Sequence, residues 1–582
     1  MTTNNHSDPL YPDHEWLATN KSAVQQLNAL LEYAQQVEVF SKKADAAFRA
    51  GQWLKMLNSL KEEYQALEQQ QYLLNPVYLT YANGIKQALS KEAAVNVNGL
   101  KAIFAQCSDL IIREFNLGAT EQIPAALVMI EGMVDRGAIN ESILKPLLFT
   151  KYNGDINGTL AFIKANVLSV ANIKEIRTVR EVVDEVLAGN AILIIDKSDI
   201  ALVSEVKGWE SRSVEEPDTE AVVRGPREGF VETIRTNTAL LRRKIKNPNL
   251  KIEALKVGEK TQTAICIAYI KGIVDERIVQ ELKKRLDKIE IDAVLESGYI
   301  ENLIEDAPFS LFPTVGNSEK PDNVSAKLLE GRVAVFVDGT PFVLMVPYLF
   351  VEAFQVSEDY YSRPYYTTFI RWLRWFAFFT STVLPALYVA ITTYHQELLP
   401  QALLTSIATA QEGTPFPAVV EALLMQIIYE ILREAGVRLP RPVGSAVSIV
   451  GALVIGEAAV TAGLVGAPMV VIVGGTAISS FLIPALSDVN ALLRIMLIIM
   501  AGFSGIYGII LGFILTIIHQ CSLRSFGVPY MSPLAPINVS DLKDVFVRFP
   551  WWAMRTRPRV LGGQNPLREK AGQKPKAQTN NN

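Results

Sequence analysis

Long apolar runs are concentrated in the C-terminal third of the chain. A membrane-spanning helix needs roughly 20 mostly apolar residues, and the stretches 375–396, 443–486 and 495–520 meet that requirement. The middle stretch is long enough for two spans, with a break expected at Ala467-Pro468. The pattern predicts an α-helical membrane domain over residues 372–523, with about four to five membrane segments.

A further stretch, residues 416–435, is apolar on one side and polar on the other. At 100° per residue, Gln426, Glu430, Arg433 and Glu434 fall within about 100° of one another on a helix. Such a helix lies at the membrane surface or lines an aqueous path. The periodicity leaves both interpretations open.

The region before the membrane domain repeats itself. The run IEGMVD at 130–135 matches IKGIVD at 270–275 at an offset of 140 residues. Further matches at offsets of 140 to 142 are Gly118 with Gly258, Ile112 with Ile252, Gly189 with Gly331, and Asp196 with Asp338. In each copy strand-like apolar runs flank a helical pattern, which is typical of an α/β unit. The repeat predicts two related α/β lobes, near 100–206 and 248–350.

The expected fold class is therefore an α/β duplicated soluble region joined to an α-helical membrane domain. The expected divisions are a helical N-terminal extension (1–95), a first cytoplasmic α/β lobe (96–210), a linker with a basic helix (211–247), a second cytoplasmic α/β lobe (248–360), the membrane domain (372–523) and a C-terminal cytoplasmic tail (524–582).

The distribution of charge supports this division. The 82 residues 442–523 contain three formal charges, Glu457, Asp488 and Arg494, whereas the other 500 residues contain 113. A single soluble globule is excluded. The net charge of −4 gives no basic field that would attract nucleic acid, so we expect no nucleic-acid partner. The three cysteines are widely spaced, which indicates neither a disulfide framework nor a zinc site.

Orientation follows the arginines near the helix ends. The N-terminus has no signal-peptide pattern, and Arg363, Arg371 and Arg374 place the N-terminal region in the cytoplasm. The tail is also basic, with arginines at 548, 555, 557 and 559, yet five simple spans would leave it outside. The conflict predicts a multi-pass protein in which one segment is re-entrant or interfacial.

The sequence offers no catalytic constellation. Phosphate-binding loops, nucleophile elbows and HExxH motifs are absent from it, and none of its four histidines has an obvious carboxylate or cysteine partner. Asp135 and Asp275 follow strand-like runs and are suited to cap the next helix. We therefore expect neither an enzyme nor a bound cofactor or metal.

The connection between the lobes is a Gly/Pro turn that leads into a basic helix. It is either a hinge or a contact to an acidic partner, and composition leaves both open. The candidate interaction residues are Arg224, Arg227, Glu228, Arg242 and Arg243.

Several ordered motifs carry a family resemblance that covers roughly residues 100–560. They are RGPREGF at 224–230 followed by NxxLxRR, EGTPFPA at 412–418 followed by EAL, EILREAGVRLP at 430–440, SIVG at 448–451 and SFGVPY at 525–530. With these motifs the chain resembles the A subunit of GerA-type nutrient germinant receptors of endospore-forming bacteria. Residues 1–95 fall outside the resemblance.

The resemblance implies a three-part complex in the spore inner membrane. The partners would be a transporter-like B subunit that binds the nutrient and a lipoprotein C subunit. It also implies that A subunits assemble into a ring, a pentamer, which forms a nutrient-gated cation channel. Two rival functions stay open: a secondary transporter, which the repeat outside the membrane part disfavours, and a membrane sensor or scaffold that does not conduct.

The candidate ion path consists of Gln426, Glu430, Glu434 and Glu457, because a cation path needs oxygen ligands where the ion sheds water. The family commonly has glutamine where this chain has Glu457. A charge in mid-membrane costs about 2.5–3.5 kcal/mol on insertion scales. We expect Glu457 either to pair with Arg494 or to line the path, and both alternatives stay open.

Overall fold

A computed structural model describes residues 87–118, 123–151, 156–208, 220, 222–438, 456–561, 565–570 and 572–575. Most of the predicted N-terminal extension and the first part of the 443–486 stretch lie outside these residues.

Two five-stranded antiparallel sheets form the centres of two lobes. The first contains β1 (Leu110–Leu117), β2 (Ile123–Ile130), β3 (Ile173–Ile176), β4 (Ala191–Ile195) and β5 (Ala201–Ser204). The second contains β6 (Leu250–Val257), β7 (Thr263–Ile270), β8 (Gly316–Ser318), β9 (Val333–Val337) and β10 (Val343–Val346). The strand orders β1-β2-β4-β5-β3 and β6-β7-β9-β10-β8 are the same.

The register of the two sheets confirms the predicted duplication. Leu110 pairs with Ile130 in the first sheet, and Leu250 pairs with Ile270 in the second, 140 residues later. The repeated glycines share a conformation as well, because φ is +87° at Gly189 and +104° at Gly331. That left-handed region is accessible to glycine at little cost, which explains why the same glycines recur at a fixed offset.

Helices cover these sheets. They include α1 (Ala93–Ile103), α2 (Val179–Leu187), α3 (Ile234–Lys244), α4 (Glu276–Leu286), α5 (Ser297–Ile304) and α6 (Pro321–Leu329). In α4, apolar residues spaced three and four apart, Ile278, Val279, Leu282 and Leu286, are buried against the second sheet.

Helix α3 belongs structurally to the second lobe. Its first N–H, that of Ile234, is bound by Asp338 Oδ1 at 3.1 Å, just as Asp196 Oδ1 binds the N–H of Ala93 in α1 at 3.0 Å. The apolar face of α3 packs with β6, β7 and β9 in one buried cluster. The sequence placed this helix in the linker, whereas tertiary packing makes it the second-lobe counterpart of α1.

The C-terminal half of the described chain is largely helical. Its longer helices are α7 (Pro364–Thr393), α8 (Gln401–Glu412), α9 (Ala418–Arg438), α10 (Ala467–Ser480), α11 (Ser487–Ser504) and α12 (Ile506–Ser522). Within the described residues, Pro364–Thr393 and Pro484–Ser504 are long and apolar enough to cross a membrane, while α10 and α12 are shorter apolar helices.

The first turns of α7 are fixed to the soluble region by buried charge. Asp359 accepts hydrogen bonds from Arg371 Nε at 2.9 Å and from Arg374 Nη1 at 2.8 Å. Arg371 also donates to Asp544 Oδ1 at 2.7 Å. The soluble region, α7 and the C-terminal tail therefore meet at one junction.

The contacts at the helix ends give each helix a direction. The turn at Gly505 between α11 and α12 packs on Tyr394, at the end of α7 away from the lobes. Ser310 Oγ lies 2.9 Å from His519 Nε2 near the end of α12. Helix α7 therefore leads away from the second lobe, and α12 returns to it.

Candidate functional site

Helix α9 places two of the predicted path residues one turn apart. Gln426 Nε2 donates to Glu430 Oε1 at 2.8 Å, because residues i and i+4 lie on the same face of a helix. Gln426 is 1% exposed and faces the centre of the bundle. The structure thus joins Gln426 and Glu430 in one hydrogen-bonded pair.

Arg494 from α11 completes this pair from the opposite side. Its side chain is 1% exposed, its Nη1 donates to Gln426 Oε1 at 3.0 Å, and its guanidinium carbon lies 5.7 Å from the ring centre of Tyr429. Its buried Nε has no hydrogen-bond partner among the described residues. A buried charge is costly unless it is paired, and the amide oxygen of Gln426 is the hydrogen-bond acceptor that Arg494 finds on α9.

A chain of alternating charge leads from this buried arginine towards the surface. Glu430 Oε2 lies 2.9 Å from Arg433 Nε, and Arg433 Nη2 lies 3.6 Å from Asp488 Oδ1. The side chain of Asp488 is 91% exposed. Charged and amide groups therefore form a continuous polar line between α9 and α11.

Polar groups from two further helices extend the site. Asn490 of α11 is fully buried and accepts a hydrogen bond from Thr382 Oγ1 of α7 at 3.3 Å. Tyr429 Oη and Ser480 Oγ of α10 are 3.0 Å apart. Inside an apolar bundle such groups are expensive and usually functional. Four helices, α7, α9, α10 and α11, therefore contribute polar groups to the interior of the bundle.

The two other predicted path residues lie apart from these polar groups. Glu434 is exposed and binds Arg438, one turn later on the same helix, at 2.6 Å. Glu457 is exposed within the helical residues 456–461. Arg494, the proposed partner of Glu457, instead makes its hydrogen bond to Gln426.

The candidate interaction residues of the linker form contacts with other residues of this chain. Glu228 binds Arg243 at 3.1 Å and Lys244 at 3.0 Å. Burial acts in the opposite direction, but the charges and hydrogen bonds of Lys244 and Arg243 lower the pKa of Glu228 below its ordinary value. The backbone N–H of Arg224 donates to Glu358 Oε1 at 3.2 Å, and Arg227 is exposed.

Arg242 is fully buried, and it binds Asp109 of the first lobe through two hydrogen bonds of 2.7 and 3.0 Å. The basic helix is therefore a contact between the lobes in this structure, and Arg242 is not available at its surface.

Asp135 and Asp275 each cap the N-terminus of a helix. Asp135 Oδ1 accepts the N–H of Ala138 at 3.0 Å, and Asp275 Oδ1 accepts that of Arg277 at 3.0 Å. Both aspartates cap helices, as predicted. Within the described ranges, no group of three or more His, Cys, Asp or Glu residues is arranged to hold a metal ion.

Sequence reasoning missed Asn490 and Thr382, and it considered Arg494 only as a partner for Glu457. It also missed Glu421, which is fully buried at the start of α9. A signal was present, because each of them is a polar residue within or beside a strongly apolar stretch. Which helix each one faces depends on tertiary packing.

Known proteins are similar to this chain over most of its length. Residues 98–560 match the family model described as "Bacillus/Clostridium GerA spore germination protein". The chain is 50% identical to "Spore germination protein KA" of Bacillus subtilis (strain 168), over 84% of this chain and 90% of that protein. It is 40% identical to "Spore germination protein GerLA" of Bacillus cereus, over 78% of this chain and 92% of that protein.

One solved structure is also similar. It is the crystal structure of the N-terminal domain of the A subunit of the Bacillus megaterium spore germinant receptor GerK3, with 36% sequence identity. The match covers 46% of this chain and 98% of that chain, with a TM-score of 0.37.

Proposed function

This chain belongs to the GerA family of spore germination proteins as an A subunit of a GerA-type receptor, and we propose that several copies form a nutrient-gated cation channel in the spore inner membrane. A pentamer is the proposed assembly. A nutrient-binding B subunit and a lipoprotein C subunit are the proposed partners.

The polar centre between α9 and α11 is the observation that carries this proposal. Its groups run from buried Arg494 and Gln426 through Glu430 and Arg433 to exposed Asp488. Oxygen ligands within a membrane domain are the groups that replace the hydration shell of a permeating ion.

The pairing within this centre supports a closed state. Arg433 neutralises Glu430, and Arg494 occupies Gln426, so neither oxygen donor is free for a cation. A buried arginine charge also repels cations. Opening therefore requires Arg494 of α11 to leave Gln426, and it also requires Glu430 to lose Arg433, which lies on the same helix.

Contacts of the C-terminal tail support an even number of membrane crossings. Ser525 Oγ donates to the carbonyl of Thr314 at 2.6 Å, and Arg557 Nε donates to that of Leu329 at 2.7 Å, so the tail lies on the second lobe. Both ends of the membrane domain are then on one side, which we propose is the cytoplasm. This would remove the conflict over the basic tail without a re-entrant segment.

Five of the described helices fit such crossings. Helix α9 begins near the far end of the bundle, where Val419 packs on Gly502, and ends near the lobes, where Arg433 approaches Asp488. We propose that helices α7, α10, α11 and α12 supply four more crossings, and an even number then requires one crossing beyond these five.

The test is current measurement on the reconstituted receptor. Glu430→Gln removes the carboxylate of the polar centre, and we expect a changed conductance or cation preference. Glu434→Gln is the matched control on the same helix, because Glu434 is exposed and paired locally, and we expect a smaller effect. Unchanged currents in both variants would contradict the assignment.

A membrane sensor that does not conduct is the second candidate. It is favoured by the pairing of Gln426, Glu430, Arg433 and Arg494 within one chain, which suits a structural centre as well as a closed path. The absence of any nutrient-dependent current from the complete receptor would favour this candidate.

A further inference from the structure

A buried carboxylate lies at the end of the bundle away from the lobes, apart from the polar centre described above. Glu421, in the first turn of α9, has no exposed surface, and its Oε1 accepts the N–H of Gly466, the N-cap residue immediately before α10. The neighbouring residues Ala422, Val465 and Met469 are buried in an apolar cluster.

The second oxygen of this carboxylate is unsatisfied. Glu421 Oε2 is buried and has no hydrogen-bond partner among the described residues. An ionised carboxylate in apolar surroundings is strongly unfavourable unless a cationic or donor group meets it. One N–H at the start of a helix meets one oxygen, so half of the group still requires a ligand.

Two backbone carbonyl groups from the end of α8 and the residue after it approach the glycines that precede α10. A Cβ atom added at Gly466 would lie 3.3 Å from Glu421 Oε1 and 3.5 Å from the carbonyl oxygen of Ala410. Ala410 is in the last turn of α8, where carbonyl groups have no N–H partner within the helix. A Cβ at Gly463 would lie 3.0 Å from the carbonyl oxygen of Gly413.

The site thus lies where the C-terminal end of α8 meets a break between two helical segments, 456–461 and α10. The carbonyl end of a helix carries partial negative charge. Broken helices that bring such carbonyls beside a carboxylate are a known way to hold a small cation in a membrane protein. A single carboxylate balances one positive charge, which favours a monovalent ion over a divalent one.

We propose that Glu421, the carbonyl of Ala410 and the break at residues 462–466 bind one dehydrated monovalent cation. The ion satisfies Glu421 Oε2 and links the ends of α8, α9 and α10. This site is separate from the path at Gln426 and Glu430, and its occupancy does not depend on whether the chain conducts.

The test measures thermal unfolding of the purified full chain in detergent at constant ionic strength and constant pH. Sodium or potassium chloride replaces N-methylglucamine chloride stepwise. We expect a saturable rise in Tm with one or both alkali cations. Glu421→Gln keeps an oxygen that accepts the Gly466 N–H but has no charge, and we expect it to abolish the dependence on the cation.

Two further variants make the result specific. Gly466→Ala leaves the carboxylate in place but puts a methyl group beside Glu421 Oε1 and the carbonyl oxygen of Ala410, and we expect a weaker cation dependence. Glu434→Gln, an exposed carboxylate on the same helix, should keep the wild-type dependence.

The proposal is overturned if wild type is equally stable in all three salts, or if Glu421→Gln keeps the cation-dependent shift. It is also overturned if lowering the pH stabilises wild type while the cation has no effect, which would indicate a protonated glutamic acid. Absence of any nutrient-dependent current from the complete wild-type receptor, with the cation-dependent stability intact, would instead contradict the channel proposal alone.

Discussion

The guanidinium group of Arg242 and the carboxylate of Asp109 form a fully buried pair with two hydrogen bonds, 2.7 and 3.0 Å long. Arg242 belongs to α3 of the second lobe, whereas Asp109 immediately precedes β1 of the first. The pair therefore joins two copies of a duplicated unit, and it explains why a basic helix lies between them.

Replacing Arg242 by alanine should destabilise the soluble region by about 3–5 kcal/mol, because it leaves Asp109 buried without its partner. Denaturant unfolding of the purified chain measures this loss. The control is Arg243→Ala, which removes a partly exposed contact to Glu228 and should cost about 1 kcal/mol or less. Equal losses in the two variants would contradict a special role for the buried pair.

The duplication offers a matched pair of glycines. Gly132 and Gly272 occupy the same turn in the two lobes, with φ of +81° and +85°. A Cβ at Gly132 would lie 3.1 Å from Ala239 Cβ and from the carbonyl oxygen of Arg235, whereas one at Gly272 meets nothing within 4 Å.

We therefore expect Gly272→Ala to cost about 1–2 kcal/mol from backbone strain alone, and Gly132→Ala to cost more because it also pushes against α3. The two unfolding midpoints provide the comparison. A larger loss of stability for Gly272→Ala than for Gly132→Ala would show that the contact with α3 does not limit the space at Gly132.

Asp359 should be the main attachment of α7 to the soluble region. Asp359→Asn leaves Arg371 and Arg374 buried without their shared carboxylate, and we expect a loss of about 3–5 kcal/mol. Asp544→Asn is the control, since Arg371 keeps Asp359 in that variant and the effect should be smaller. Thermal unfolding measures the loss of stability. The rate of proteolysis between residues 355 and 364, at temperatures below unfolding, reports whether the junction opens. A junction that stays protected in Asp359→Asn would contradict the prediction.

Glu301 should make stability depend on pH near neutrality. Burial, and then the charges of Glu305 and Glu296, raise the pKa of Glu301 from 4.5 to about 7. Between pH 4.5 and about pH 7, Glu301 therefore keeps its proton in the folded state but has lost it in the unfolded state. The resulting stabilisation is complete below about pH 4.5 and disappears as the pH rises through 7.

Glu301→Gln cannot ionise, so its Tm should exceed that of wild type at pH 8 and differ little at pH 5. Melting curves at the two pH values measure the difference. Glu259→Gln, at an exposed position, should show no such change. A Tm advantage of Glu301→Gln that is equal at both pH values would exclude ionisation as its cause.

The sequence alone determined the duplication, since a fixed offset of glycines and apolar runs requires two units with the same turns. It also determined the apolar C-terminal region and the polar face of α9, because helical periodicity places Gln426 and Glu430 together. Family membership followed from ordered motifs that comparison then confirmed.

Only the tertiary structure decided which polar groups meet. Arg494 lies 68 residues from Gln426, and Arg242 lies 133 residues from Asp109. The sequence left open whether Glu457 pairs with Arg494 or lines the path, and whether the basic helix that contains Arg242 is a hinge or contacts an acidic partner. Periodicity shows which face a residue occupies, whereas the identity of the facing side chain depends on how helices and lobes pack around their apolar cores.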